Sequence, residues 1–98
     1  MEFIKTYIPE VIIVKPTIIQ DYRGYFMESY HLEKYKQGGI ASIFVQDNYS
    51  SSIHNTLRGM HFQLKFPQAK LLRCLKGKIF DVAVDIRKDS PYFCKWVS

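Results

Sequence analysis

Short β-branched and aromatic runs, separated by polar, glycine and proline turns, constrain the fold of this chain more than any other feature. The turn signals recur at a spacing of roughly 8–12 residues, which is typical of a β-sandwich or β-barrel. In the clearest run, Lys78–Ile86, apolar Phe80, Val82 and Val84 alternate with small or charged residues. This period of two places one face of a strand in a core. The pattern predicts an all-β fold.

One helical segment interrupts the β pattern. Leu32–Gln37 has the composition of one or two helical turns, closed by Gly38 and Gly39. Turns are predicted at Asp21–Gly24, Lys76–Gly77 and Lys88–Pro91, and a polar connection at Asp47–Asn55. The predicted strands are Val11–Pro16, Tyr25–Tyr30, Ile43–Gln46, Leu57–Gln63, Ala69–Leu75, Lys78–Ile86 and Phe93–Ser98.

The number of predicted strands sets an expectation about completeness. A closed barrel or jelly roll needs about eight strands, and this chain falls short of that number. An unfinished barrel exposes edge strands that invite pairing. We therefore expect a fragment of a longer protein, a truncated product, or a sheet that a second copy completes. Residues 1–98 are expected to form one partial domain.

Composition narrows the class of protein. Of 98 residues, 47% are hydrophobic and 15% aromatic, which indicates a folded domain rather than a disordered chain. No apolar run approaches the ~20 residues of a membrane span, and the first residues do not resemble a signal peptide. Cys74 and Cys94 lie in apolar, strand-like text and form no CxxC pair. We expect reduced packing residues in a cytoplasmic protein, with a disulfide as the alternative.

The net charge of +5 comes from basic residues that are scattered along the chain. A scattered excess usually forms a solvated surface, and it could also attract a phosphate-bearing ligand. Nucleic-acid binding is disfavoured because the sequence has neither a dense basic run nor a recognition-helix pattern.

The segment Phe44–Gln63 holds the densest set of chemically useful groups. Such polar groups are costly in a core unless they are paired, and on a concave sheet they can bind an anion and move a proton. The candidates here are Gln46, Asp47, Asn48, Arg58 and His61.

His61 is the candidate general base, because imidazole exchanges a proton near physiological pH. The alternative is a strand histidine satisfied by a backbone group. Arg58 and Lys70 shift the balance towards function. Arg58 and His61 would face opposite sides of a regular strand, but Gly59 could mark a bulge that lets both reach one pocket.

Other predicted strands and turns carry further candidates, each with a simpler alternative. Lys70 could stabilise an oxyanion or face solvent. Arg23 could bind a phosphate and Glu28 could accept from a sugar or base, or both could belong to a surface charge pair. Phe26 could stack on a base or belong to the core.

Asp81 and Asp85 could orient His61 or Lys70, or could form the polar face of a half-solvated strand. Metal binding is disfavoured because the three histidines have neither an HxH pattern nor the spacing of a two-histidine carboxylate site. A nucleophilic mechanism is disfavoured because no Ser or Cys lies in a recognisable catalytic motif.

Four segments in this order resemble the dTDP-4-dehydrorhamnose 3,5-epimerase family: DYRGYFMESY, the block from FVQDN to LRGMHFQ, QAKLLRCLKGKIFDVAVDIR, and SPYFCKW. The resemblance runs from about Asp21 to the last residue. It implies a cupin-type jelly roll, incomplete in this chain and with one short helical segment.

The resemblance also implies a site and a reaction. His61 would be the proton acceptor and Lys70 would support the enolate. The substrate would be dTDP-4-dehydro-6-deoxy-glucose, inverted at carbons 3 and 5 without cofactor or metal. The implied substrate-binding residues are Arg23, Phe26, Glu28, Gln46, Asp47, Asn48 and Arg58.

Members of that family are longer, and their second half supplies a tyrosine proton donor, another histidine and a carboxylate that orients the base. We therefore expect this chain to be truncated, weakly active or inactive alone, and homodimeric. The alternatives are a non-catalytic half-cupin that dimerises and binds nucleotide-sugar, and a related 3-epimerase. The RG-x-HFQ text argues against a keto-isomerase.

Overall fold

A computed structural model describes all 98 residues. The structure is mostly non-helical and contains small antiparallel strand pairs with one short helix, consistent with the predicted all-β class. The strands pair as β1 with β2, β3 with β4, and β5 with β6. The elements are β1 (Glu2–Lys5), β2 (Ile12–Lys15), β3 (Ile18–Asp21), β4 (Gly24–Met27), α1 (Leu32–Gln37), β5 (Ala83–Val84) and β6 (Trp96–Val97).

The chain forms two compact units. The first comprises Met1–Ala41 and Cys74–Ser98, and the second comprises Ser42–Arg73. All seven elements belong to the first unit. The second unit contains no helix or strand, and its residues are almost all exposed.

The first hairpin joins β1 to β2 through residues 6–11. Phe3 lies opposite Val14 and Ile4 lies opposite Ile13, so aromatic and β-branched residues face each other across the pair. The Thr6 hydroxyl donates to the carbonyls of Ile8 and Val11 at 2.8 Å each, which closes the connection. β2 confirms the strand predicted at residues 11–16. β1 was not predicted, because its four residues form a short run that includes polar side chains.

The second hairpin confirms the turn predicted at Asp21–Gly24. The Asp21 carboxylate accepts the backbone N–H of Arg23 at 2.8 Å, and Gly24 has a φ of +135° that favours glycine. β3 and β4 pair in register on either side of this turn. Most of their side chains are exposed, including apolar ones on both faces.

Helix α1 confirms the predicted helix and supplies the largest fully buried side chain. Tyr35 is 1% exposed, and its hydroxyl donates to the Ser29 carbonyl at 3.0 Å. Its ring packs edge-on against Phe3 at 5.4 Å and Tyr30 at 4.7 Å between centroids. Gly38 follows the helix, where a Cβ would meet the Phe3 ring. Because Gly38 has no side chain, the Phe3 ring of β1 can pack against Tyr35 of α1.

The carboxyl-terminal part is organised around Asp85, whose side chain is 2% exposed. Arg87 donates to both carboxylate oxygens, from Nε at 2.9 Å and Nη2 at 2.7 Å. The Ser90 hydroxyl donates to the same carboxylate at 2.6 Å. Arg87 Nη1 also contacts Glu10 at 2.7 Å, which ties this region to the β1–β2 connection.

Several predicted strands are not formed. Residues 43–46, 57–63 and 69–75 have no regular structure, and of residues 78–86 only β5 is a strand. A strand persists only where a neighbour satisfies its backbone donors and acceptors, and these residues have no strand paired with them. Gly77 does have the positive φ, +85°, predicted for it.

The cysteine prediction is half right. Cys74 and Cys94 are free thiols, as predicted, but both are exposed, so their assignment as packing residues is wrong. The strand predicted around Cys74 is absent, and Cys94 lies in a turn before β6 with a φ of +60°. In addition, the structure contains no helix with the length and apolar character needed to cross a membrane.

Replacement of the central core residue tests this packing. We expect Tyr35→Ala to lower the free energy of unfolding by about 3–5 kcal/mol, because it leaves a cavity and removes a buried hydrogen bond. Urea denaturation followed by circular dichroism measures the change. Tyr22→Ala removes a ring that is 96% exposed and should stay within about 0.5 kcal/mol of wild type. Equal losses in the two variants would contradict this core.

The Asp85 network predicts a dependence of stability on acid. Hydrogen bonds from Arg87 and then Ser90 hold the pKa of Asp85 well below its ordinary value. The folded state therefore binds fewer protons than the unfolded chain, and stability falls as pH drops below about 4. Asp85→Asn should destabilise the protein at pH 7 and weaken this acid dependence. Thermal melts between pH 7 and 2 would contradict the account if Asp85→Asn behaved like the control, Asp89→Asn.

Candidate functional site

Three of the predicted substrate-binding residues lie on or just after the β3–β4 hairpin, in the first unit. Arg23 is in the turn with a side chain that is 74% exposed. It does not pair with Glu28; instead its Nε and Nη2 donate to Asp21 at 3.1 and 2.6 Å, and it lies 5.7 Å from the Tyr22 ring centre. The Arg23 bonds hold the pKa of Asp21 below its ordinary value.

Phe26 is an exposed aromatic residue rather than a core residue. It lies on β4 opposite Ile19, and 68% of it is accessible. A strand aromatic with an exposed ring is able to stack on a planar ligand such as a base. The core interpretation of Phe26 is therefore wrong, and the binding interpretation stays a prediction.

Glu28 follows β4 and is half-buried. Its Oε1 accepts from Lys34 Nζ at 2.6 Å, which joins the end of the hairpin to α1. The Lys34 hydrogen bond lowers the pKa of Glu28, with smaller contributions from His31 and the terminal ammonium. Lys34 is a residue that sequence reasoning missed. In the sequence, Glu28 and Lys34 are opposite charges six residues apart. That spacing predicts no contact until the position of the helix is known.

The remaining predicted site residues lie in the second unit. The Gln46 amide donates to Asn48 Oδ1 at 3.1 Å, so two side chains of the QDN triplet bind each other. Arg58 Nε donates to the Ser52 hydroxyl at 3.0 Å. Ser52 lies in the polar connection predicted at Asp47–Asn55. All of these side chains are exposed.

His61 is exposed and lies two residues after Gly59. Gly59 has a φ of +126°, and a Cβ at this position would be 3.7 Å from His61 Nδ1. The bulge predicted at Gly59 is absent, because residues 57–63 form no strand. Lys70, the other predicted catalytic residue, is also exposed.

The Asp85 carboxylate is paired within the first unit. Both of its carboxylate oxygens accept from Arg87, and one also accepts from Ser90. Its charge is thus used within a structural network. In addition, the structure contains no group of three or more His, Cys, Asp or Glu residues arranged to hold a metal ion.

Comparison with known proteins gives a consistent result. The family model described as dTDP-4-dehydrorhamnose 3,5-epimerase matches residues 5–98. Curated proteins of that name from Shigella flexneri and Salmonella typhimurium are each 52% identical over 99 residues, covering 99% of this chain and 55% and 54% of the relatives. A third, from Methanothermobacter thermautotrophicus, is 48% identical over 94 residues, covering 96% of this chain and 51% of the relative.

The chain spans about half the length of these curated relatives. The match nevertheless includes every residue predicted here to act in the site, from Arg23 to Lys70. The resemblance inferred from four sequence segments is confirmed. The chain belongs to the dTDP-4-dehydrorhamnose 3,5-epimerase family.

Proposed function

We propose that this chain carries the proton-abstracting part of an enzyme that epimerises carbons 3 and 5 of dTDP-4-dehydro-6-deoxy-glucose in dTDP-rhamnose biosynthesis. The observation that carries the proposal is the family match over residues 5–98, which contains the RGMHFQ and QAKL segments. Exposure of His61 and Lys70 supports it, because both groups are accessible to a ligand.

The chemistry follows from the 4-keto group of this substrate. A proton on a carbon next to a ketone can be removed when the resulting enolate oxygen is stabilised. The imidazole of His61 would accept this proton, and the side chain of Lys70 would stabilise the enolate. Inversion is complete when an acid returns a proton to the opposite face. The substrate is neither oxidised nor reduced overall, so these steps need no redox cofactor.

Substrate binding is proposed for the other predicted residues. Arg23 would attract the diphosphate, although two nitrogens of its guanidinium group also donate to Asp21. Phe26 would stack on the base. Glu28 is an acceptor for N–H or O–H groups of the nucleotide-sugar. The remaining proposed substrate contacts are Gln46, Asp47, Asn48 and Arg58.

We further propose that the chain is a single partial cupin jelly roll that acts in the cytoplasm as a homodimer. The β3–β4 hairpin supports dimerisation, because a two-stranded sheet is marginally stable alone and leaves open edges. Ile18 and Ile19 on β3 are 60% and 63% exposed. A second copy that adds strands to this hairpin would cover them.

A second candidate function is a non-catalytic half-cupin that dimerises and binds nucleotide-sugar. The exposed Arg23 and Phe26 would serve it equally well, because neither takes part in proton transfer. The two functions differ in one measurable respect, exchange of the substrate's carbon-bound protons with solvent.

Hydrogen exchange at the substrate tests the catalytic proposal. In deuterated buffer, proton NMR should show deuterium entering at carbons 3 and 5, because His61 removes these protons. We expect His61→Ala to slow the exchange by about 10²–10⁴-fold. His54→Ala, which changes an exposed turn histidine of the same unit, should exchange like wild type.

Exchange that persists in His61→Ala would remove His61 from the role of base. A wild-type chain that binds dTDP but exchanges no proton would instead establish the non-catalytic half-cupin.

Light scattering after gel filtration tests the dimer. We expect a mass twice that of the chain for wild type and a monomer for Ile19→Lys, because a lysine on the exposed hairpin opposes strand addition. Ile53→Lys, at an equally apolar exposed position outside the hairpin, should remain dimeric. A wild-type monomer, or dissociation by both variants, would contradict dimerisation through β3 and β4.

A further inference from the structure

Glu28 and Lys34 form an ion pair that is closer than a surface charge pair has to be. Lys34 Nζ lies 2.6 Å from Glu28 Oε1, a short charge-assisted hydrogen bond. The two side chains are 38% and 49% exposed, so the pair is accessible to solvent and to ligands. It connects the residue that follows β4 to the middle of α1.

The backbone on both sides of this pair is held by the core. Tyr35, the residue after Lys34, is buried, and its hydroxyl donates to the carbonyl of Ser29, the residue after Glu28. The Tyr35 ring also packs on Phe3. The two ends of the ion pair are therefore fixed relative to each other before the side chains meet, which reduces the entropy lost when they pair.

Stability does not explain such a pair, because exposed ion pairs contribute little to folding. Its effect falls on the carboxylate itself. Lys34 is the largest cause of the lowered pKa of Glu28, and the other charged groups that act on Glu28 are His31 and the terminal ammonium of Met1. All three are cationic or can become so, and all favour the ionised carboxylate.

An ionised carboxylate is only an acceptor, with about four lone-pair sites on its two oxygens. Lys34 binds at Oε1, so the group keeps capacity for a second donor. A nucleotide-sugar offers such donors as the imide N–H of its pyrimidine and the hydroxyls of its sugars. A carboxylate that is held still accepts from them with less loss of entropy than a mobile one.

We propose that Lys34 is a positioning residue: it holds the Glu28 carboxylate in place to accept a hydrogen bond from an N–H or O–H group of a bound nucleotide. This inference rests on the proposed function, which makes Glu28 a substrate-binding residue. The inference adds a role for Lys34 on α1, and this role depends on the ion pair found in this chain.

Calorimetric titration of the whole chain with dTDP tests the inference. We expect Lys34→Ala to weaken binding about tenfold, the size of effect produced by loss of one well-placed charge-assisted contact. The matched control is Lys36→Ala on the same helix, which breaks a 3.0 Å pair with Glu33 and should change the Kd less than twofold. Lys34→Arg keeps the charge and the donor and should restore most of the affinity.

A pH series separates positioning from a merely structural role. Without Lys34 the pKa of Glu28 rises towards its ordinary value, so acid-induced loss of dTDP affinity should begin at a higher pH in Lys34→Ala than in wild type. The double variant Glu28→Lys with Lys34→Glu keeps an ion pair but puts the cation at position 28. It should melt like wild type and still bind dTDP poorly.

The outcomes distinguish this inference from the proposed function. Failure of wild type to bind dTDP would overturn the proposed nucleotide site and the role of Lys34 with it. In another outcome the wild type binds dTDP, Glu28→Gln weakens this binding, and neither Lys34→Ala nor Lys36→Ala changes it. This result would overturn the role of Lys34 alone. Recovery of affinity in the double variant would show that the pair acts only on folding.

Discussion

The buried carboxylate of Asp85 is the group on which the first unit most depends. Because an ionised carboxylate away from water must be paired, it draws Arg87 and Ser90 onto its two oxygens. Arg87 then has one nitrogen left for Glu10, 77 residues earlier in the chain. The edge-on contact of Tyr7 with Tyr92 accompanies this link. In the sequence, Asp85 resembles a polar residue of an alternating strand. In the structure, its network joins the two chain segments of the first unit.

Local chemistry explains which parts of the fold were predictable from sequence. The turn at Asp21–Gly24 depends on an aspartate cap and a glycine that are adjacent in sequence, and α1 depends on neighbours within one turn. Both were predicted at the correct residues. The strand at 57–63 was predicted from composition alone, yet a strand also needs a partner that sequence patterning cannot supply. It is absent for that reason.

The candidate site shows the same division. The residue types and their order were sufficient to identify the family, because His61, Lys70 and Arg23 each sit in a motif with a specific spacing. Their partners were not predictable. Arg23 binds Asp21 rather than Glu28, and Glu28 binds Lys34, because hairpin and helix geometry decides which opposite charges meet. Local pairing therefore determines what each site residue has left for a ligand.

The most direct test of the account is a titration of the isotopically labelled chain with dTDP, followed by amide and side-chain NMR signals. The account predicts saturable shifts at the segments around Arg23–Glu28 and Gln46–Asn48, with little change at the Asp85 network. Shifts confined to other residues, or none at millimolar nucleotide, would contradict the claim that this chain keeps the nucleotide-binding residues of its family in working form.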